Sequence, residues 1–405
     1  MQKRTFASLL VIFSVVLILS LVFTACGPGG GGAKKTVKIA WIGPLTGGNA
    51  GPGIGGRNSF ELAIKEANAN PNSKYTYEAV FIDDECKPEV GVQAALKAAS
   101  DPEVIASVSH YCSMVAISTV DTFHNNGLAD IVWGAVLPAI TYGNDYKEVF
   151  RVNGTMIQQN KVHAEDMVKW GYKTVSIIHD TSDYGRGHME YFSESAKEVG
   201  LQILSVQGVV TDQQDFTTEL TKIKAEDPDV IYFGGLAPLG IPLRKQMVKL
   251  DIRSQFDGTS GIKNNSFNEA LGPDAEGVIS YLEGAPLEEL PGGMKFKQAY
   301  EAAGYKEPPE AYGPFAYVAA QLAIEAIEKV GPDRQKVVDE LATTKGKDTI
   351  IGEVTFDEYG QNIVPLVTAY VSENGQWVPL SQSSYKEGGT KELPGITFMK
   401  EKGRR

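Results

Sequence analysis

From Thr36 onward the chain alternates apolar runs with amphipathic stretches. "TVKIAWIG" has the continuous apolar character of a buried strand, while Phe60, Ala63, Ile64 and Ala67 in "SFELAIKEAN" share one face of a 3.6-residue period, which predicts a helix. "YTYEAVFIDD" predicts a second strand, and "PEVGVQAALKAAS" a helix with Pro88 in its first turn, where a missing N–H is harmless. "VIASVSH", a helix over 113–126 and "LADIVW" continue the series. Near "EVFRVNG" (148–154) the rhythm restarts. Helix 155–170, strand "KTVSIIHD", helix 185–199, strand "LQILSVQ", helix 214–226, strand "DVIYFGG", helix 238–250 and strand "GVISYL" follow in order. Three more helices reach about 342, and "PLVTAYVSENGQWVPL" predicts a hairpin turning on Asn374-Gly375. After Ser381 polar, loosely held chain is expected. Strands and helices alternating at this spacing build parallel sheets covered on both faces, and two such series predict two similarly built α/β lobes.

Ahead of this pattern stand Lys3 and Arg4, an uncharged apolar run over 6–23, and "TAC". A basic start, an apolar core and small residues at the cut describe an export signal. The other reading is an uncleaved anchor, since ~18 residues just span a bilayer. "VFTAC" resembles a bacterial lipobox, in which Cys26 becomes the lipid-bearing first residue after a signal peptide of residues 1–25. "GPGGGGAKK" then supplies a glycine-rich tether over 26–35. The mature chain is therefore expected outside the cytoplasm, lipid-anchored to the cell membrane or periplasmic, with no other hold on the membrane. Its 42% apolar and 22% charged residues suit an ordinary soluble protein. The net charge of −12, two units more negative without Lys3 and Arg4, repels phosphates and argues against nucleic acid. With Cys26 lipidated, Cys86 and Cys112 remain as a pair, and outside the cytoplasm two thiols in one domain usually oxidise together. A catalytic Cys112 beside His110 is the alternative.

"GPGIGG" (51–56) fits G-x-G-x-x-G letter for letter. A dinucleotide fingerprint needs its first glycine in the turn that ends strand one. Here that strand ends near Gly43, "PLTGGNA" intervenes, and Asp83 lies 27 residues past Gly56, further than the ribose-binding acid should. The stretch reads instead as a lip of a ligand cleft at the carboxyl end of the sheet, and no cofactor is called for. The five histidines show no H-E-x-x-H or paired metal spacing, and no G-x-S-x-G elbow is present, so neither a metal site nor a catalytic residue is assigned. Asp83-Asp84-Glu85 reads as helix capping or lysine pairing, with a metal role as the alternative.

Taken together, "KIAWIGPLTGGNA", "IDDECKPEVGVQAA", "SHYCS", "HDTSDYGRG", "VIYFGG" and "IIGEVTFDEYGQN" follow the order and spacing of the leucine/isoleucine/valine-binding proteins. The chain resembles this family, the solute-binding components of branched-chain amino acid ABC importers, from about Lys38 to about Trp377. The resemblance implies two doubly wound α/β lobes joined by a three-strand hinge, the type I periplasmic-binding-protein fold, with a solute held between lobes that close on it. Hinge crossings are expected near 152, 282 and 364. Lobe I would then comprise 36–152 and 283–364, lobe II 153–282 and the hairpin 365–381, with a tail over 382–405. The Cys86–Cys112 pair resembles the family's disulfide.

Site residues follow only where motifs match. Ser113 corresponds to the serine that binds the ligand carboxylate, and a hydroxyl at a helix start suits an anion. Tyr184 corresponds to an aromatic that covers the ligand from the second lobe. The resemblance then departs from its pattern. In "IVWGAVLPAIT" Gly134 keeps a backbone carbonyl but Val136 lacks the family's hydroxyl. Leu236 stands where tyrosine is common, Pro52 replaces another aromatic, and Ser260 replaces the glutamate that neutralises an ammonium. Trp133 is a candidate pocket wall, whereas Trp41 reads as core. A buried ammonium without counter-charge is costly, which leaves Glu283 or Asp83 as substitutes. The cargo implied is a small amino acid, or an aliphatic or aromatic carboxylate, or an amide such as urea. The apolar Val136 and Leu236 favour the carboxylate over urea. The partners implied are this small-molecule solute and the membrane permease of an ABC importer, and the chain is read as no enzyme. A sensor domain of the same fold and a hydrolase are the competing classes; the first lacks a spanning segment after 381, the second an assembled nucleophile and base.

Overall fold

The computed structural model describes residues 34–404, apart from 291, 364 and 365. The signal peptide, Cys26, most of the glycine-rich tether and the crossing expected at 364 lie outside the described residues. The strands, in chain order, are β1 (Lys35–Gly43), β2 (Tyr75–Asp83), β3 (Val104–Val108), β4 (Ala129–Val132), β5 (Val149–Arg151), β6 (Thr174–Asp180), β7 (Gln202–Val209), β8 (Val230–Gly234), β9 (Gln255–Gly258), β10 (Ile279–Glu283), β11 (Lys347–Thr349), β12 (Gly352–Val354), β13 (Val367–Glu373) and β14 (Gln376–Pro379). They form a five-stranded sheet of order β2-β1-β3-β4-β5, a seven-stranded sheet of order β14-β13-β10-β9-β8-β6-β7, and the small pair β11-β12. In the first sheet the pairs β1–β3, β3–β4 and β4–β5 run parallel. In the second, only β13 is antiparallel to its neighbours, because the hairpin at Asn374-Gly375, both residues at positive φ, folds back along β10. Helices cover both sheets, giving two α/β lobes of the kind the β/α alternation requires.

Three elements differ from the sequence reading. β9, "QFDG", was not expected, since Gln255 and Asp257 break its apolar run. Both are buried, Gln255 Nε2 donating to the Gly277 carbonyl (2.8 Å) and Asp257 Oδ2 facing His163 Nε2 (3.3 Å). The segment after Ser381 is not loose: Pro394–Glu401 is a helix whose Phe398 and Met399 are buried in the second lobe, with Gly395 against Gln255. The third concerns "GPGIGG". The helix starts at Ala50 rather than Ser59 and absorbs all four glycines, although each costs up to ~1 kcal/mol against alanine. Close packing offsets this. A Cβ at Gly53 would sit 1.5 Å from the Pro44 carbonyl oxygen, one at Gly55 2.7 Å from that of Pro308, and one at Gly56 2.6 Å from the Trp133 ring. The stretch is thus a packing face and no mobile lip.

Cys86 and Cys112 form a disulfide, with Cα atoms 5.6 Å apart. It ties the turn before helix Pro88–Ser100 to the start of helix Ser113–Asn125, and it consumes the thiol that a catalytic Cys112 would need. His110 instead pairs through Nδ1 with the buried Asp84 (2.8 Å). Replacing both cysteines by serine is expected to cost about 3 kcal/mol, read as a lower urea midpoint. An unchanged midpoint would mean that the turn is held without the bond. Among the described residues no helix is long and apolar enough to cross a membrane.

Candidate functional site

In open parallel sheets, ligands meet the carboxyl ends of the strands, and here those ends from both lobes converge. Ser113 opens helix Ser113–Asn125 just beyond β3 and is fully buried. Its Oγ accepts the backbone N–H of Val136 (3.1 Å) and of Leu137 (3.3 Å). With both lone pairs engaged, what this hydroxyl has left to offer is its proton, a donor for an anionic acceptor. Gly134 belongs to the same loop beyond β4, where a Cβ would touch the Tyr111 ring at 3.1 Å. Trp133 is buried in the stack behind, 5.6 Å from Trp41 and 5.8 Å from Tyr111 between ring centroids, so its contacts are those of a core residue.

The second lobe contributes the turns after β6, β8 and β9. Ser182 caps helix Asp183–Glu198, its side chain accepting from Gly185 N–H, and sets Tyr184 in the first turn. The Tyr184 hydroxyl donates to Thr259 Oγ1 (2.9 Å) and accepts the Gly261 N–H (2.9 Å). Burial pushes that phenol well above its ordinary range. Leu236 precedes helix Ala237–Lys249, and Ser260 opens the 3-10 turn Ser260–Ile262. A Cβ at Gly261 would lie 2.7 Å from both Leu236 Cδ2 and the Tyr184 hydroxyl, so these groups surround one point. Tyr184, Tyr111, Val136 and Tyr312 belong to a single buried cluster, with Leu236 packed against it, and the Tyr111 and Tyr312 rings meet edge-on at 5.9 Å. Pro52, in the glycine helix, is buried.

Three polar residues join the lobes around the same point. Glu283, the last residue of β10, is 1% exposed. Its Oε1 accepts Gln159 Nε2 (2.8 Å) and its Oε2 accepts the Tyr312 hydroxyl (2.9 Å). Gln159 Oε1 in turn accepts the Ser260 N–H (3.2 Å). Burial pushes the Glu283 carboxyl up to about 7, against hydrogen bonds from its own N–H, Tyr312 and Gln159 and the more distant Arg151 cation. Asp83, the other acid considered, is a structural brace: it accepts Leu45 N–H (2.8 Å), Glu85 N–H (2.9 Å) and the Thr46 hydroxyl (2.6 Å), which hold it below the usual range despite partial burial. Glu283 also borders a cavity of about 780 Å³, lined in addition by Lys263, Phe315, Tyr370 and Trp377. Lys263 Nζ sits 4.0 Å from the Tyr370 ring centre, and burial lowers it to about 8.

Sequence reasoning missed Gln159, Tyr111 and Tyr312. Each enters through a contact with residues far away in the chain, and no local pattern marks them. Glu283 left a fainter signal, an acid closing the otherwise apolar "ISYLE". Among the described residues no group of three or more His, Cys, Asp or Glu side chains could hold a metal ion.

Comparisons with known proteins bear on this geometry. The family model described as "Periplasmic binding protein" matches residues 36–376. A Leu/Ile/Val-binding protein homolog 1 of Brucella suis is 29% identical over 349 residues, 85% of this chain and 93% of that one. A leucine-, isoleucine-, valine-, threonine-, and alanine-binding protein of Pseudomonas aeruginosa is 29% identical over 331 residues, 81% and 87% of the two chains. Among solved structures, a leucine binding protein LivK from Thermotoga maritima superposes with a TM-score of 0.79 at 25% identity, over 85% of this chain and 97% of the other.

Proposed function

We propose, for a chain that belongs to the periplasmic binding protein family, that it receives an aliphatic α-amino acid, or a closely related carboxylate, for an ABC importer of the branched-chain amino acid type. The observation that carries this reading is the Ser113 hydroxyl, which accepts two backbone N–H groups at a helix start and is left as a donor. A carboxylate suits that donor, and the apolar Val136 and Leu236 suit an aliphatic side chain. Closure of one lobe on the other accounts for the polar chain Ser260–Gln159–Glu283–Tyr312, whose members come from both lobes and the hinge strand. A permease would read the closed form, and a lipid on Cys26 would keep the receptor beside it. A solute without an amino group is the second reading, favoured by Ser260, which brings a hydroxyl where a charge would serve an ammonium.

The test is a thermal-shift panel of leucine, valine, their keto acids, benzoate and urea at about 100 μM, on protein unfolded and refolded to strip carried solute. A ligand of micromolar affinity contributes ~2.7 kcal/mol and raises Tm by several degrees. Leucine or valine is expected to do so. A shift by urea alone would remove the carboxylate reading.

A further inference from the structure

We infer that Glu283 is the counter-charge for the ammonium of the bound solute, a specificity determinant that rests on the amino-acid reading above. An ammonium taken out of water needs an opposite charge and hydrogen-bond acceptors, or it costs several kcal/mol. The turns that gather at Gly261 offer hydroxyls from Tyr184, Thr259 and Ser260, and none of these carries charge. Glu283 is one step away, linked to Ser260 through the Gln159 amide and to the first lobe through Tyr312.

The carboxyl has no structural need for its charge. The groups that touch it, Gln159, Tyr312 and its own backbone N–H, are all neutral donors. The cation that acts on it, Arg151, spends its guanidinium on Gln361, Ala135, Leu137 and Thr141. A buried acid on the hinge strand whose contacts are all neutral carries a desolvation cost that no touching cation offsets. Its position suits a ligand group that becomes available only when the lobes meet.

The pH dependence follows. The groups acting on Glu283 are Arg151 from β5, Tyr184 from the second lobe and Tyr312 from the first. An ammonium selects the ionised carboxylate, so binding draws its pKa down from about 7. Below that pH, binding of an amine must release a proton from the protein, and affinity falls roughly tenfold per pH unit. Above it, no proton is released and affinity levels off. A keto acid, lacking the amine, shows no such dependence.

The experiment is isothermal titration of leucine and its keto acid into wild type and Glu283→Gln, between pH 5 and 8, in buffers of different ionisation enthalpy. Glu283→Gln is expected to lose about 100-fold in leucine affinity while keeping keto-acid affinity within about threefold. Wild type is expected to release close to one proton on binding leucine at the acid end. If the variant binds leucine as wild type does, or loses both ligands equally, the assignment is overturned. Leucine binding without proton release overturns it too, and this measurement needs no variant to fold. If wild type binds the keto acid but no amino acid, the carboxylate site stands and Glu283 has no ammonium to serve. If wild type binds neither, the proposed function falls and this inference with it.

Discussion

Gly53→Ala is expected to destabilise the protein by about 2–4 kcal/mol, whereas Gly51→Ala, two residues earlier in the same helix, is expected to be neutral or to stabilise it by up to ~1 kcal/mol. The chemistry of the two changes is identical. What differs is the neighbour: a methyl group at position 53 meets the Pro44 carbonyl oxygen at 1.5 Å, while nothing lies within 4 Å of one at position 51. Backbone cannot swing aside like a long side chain, so the helix must move relative to the end of β1. That movement also disturbs Gly56 on the Trp133 ring and Gly55 on Pro308 and Pro309. Urea unfolding of the two variants decides the matter. Equal midpoints for both would show that the helix start is free to shift, and would restore the cleft-lip reading of these glycines.

The second large effect is expected at Arg151. This side chain is fully buried and its four donor contacts are all to neutral acceptors: Leu137 O (2.6 Å) and Ala135 O (3.3 Å) from Nη1, Gln361 Oε1 (2.5 Å) from Nε, and Thr141 Oγ1 (2.9 Å) from Nη2. Burial lowers the guanidinium to about 10. It remains charged at neutral pH, and charge-assisted bonds hold the loop that carries Val136 onto the segment at Gln361. Methionine keeps much of the volume but leaves these acceptors buried and short of donors. The expected cost is about 3 kcal/mol or more, a fall in Tm of roughly 4 °C or more. Arg151→Lys should recover little, because a single ammonium cannot span four acceptors in a plane. Loss of solute affinity should accompany loss of stability, since the loop that Arg151 fixes also fixes the Ser113 hydroxyl. A methionine variant as stable as wild type would assign the loop's position to backbone contacts alone.

The fold was legible where local pattern and long-range packing agree. Apolar runs such as "TVKIAWIG" and "DVIYFGG" sit in sheet interiors, and Asn374-Gly375 makes the turn its two positive φ values require. Legibility failed where tertiary contacts override local preference. Four glycines read as loop become helix, because proline backbone or the Trp133 ring packs closely against three of them, Gly53, Gly55 and Gly56. Gln255 and Asp257 disguise β9, because their buried polar side chains are held by distant contacts to the Gly277 carbonyl and His163 Nε2. The polar end of the chain conceals a helix whose apolar side is only Phe398, Met399 and their neighbours. At the site, the residues chosen from motifs, Ser113 and Val136 in one lobe and Tyr184, Leu236 and Ser260 in the other, lie together in two groups. The amide and the two tyrosines that complete the surroundings could not be read from sequence, because each acts across more than a hundred residues of chain.

The helix Ala50–Ala69 lies against helix Gly313–Val330, which shuts over the glycine face with Gly313 beside Ser59 and the Gly55 carbonyl. Synthesis delivers these two halves in order, more than 240 residues apart. At ribosomal speeds the early strands wait roughly 10–50 s for the partner that covers them. During that interval Phe60, Ile64 and the rest of that face have no native cover, and the second lobe is being made in between. Such late closure makes for slow folding and an aggregation-prone intermediate. A chain that closes this late stays open to chaperones and proteases until helix Gly313–Val330 arrives.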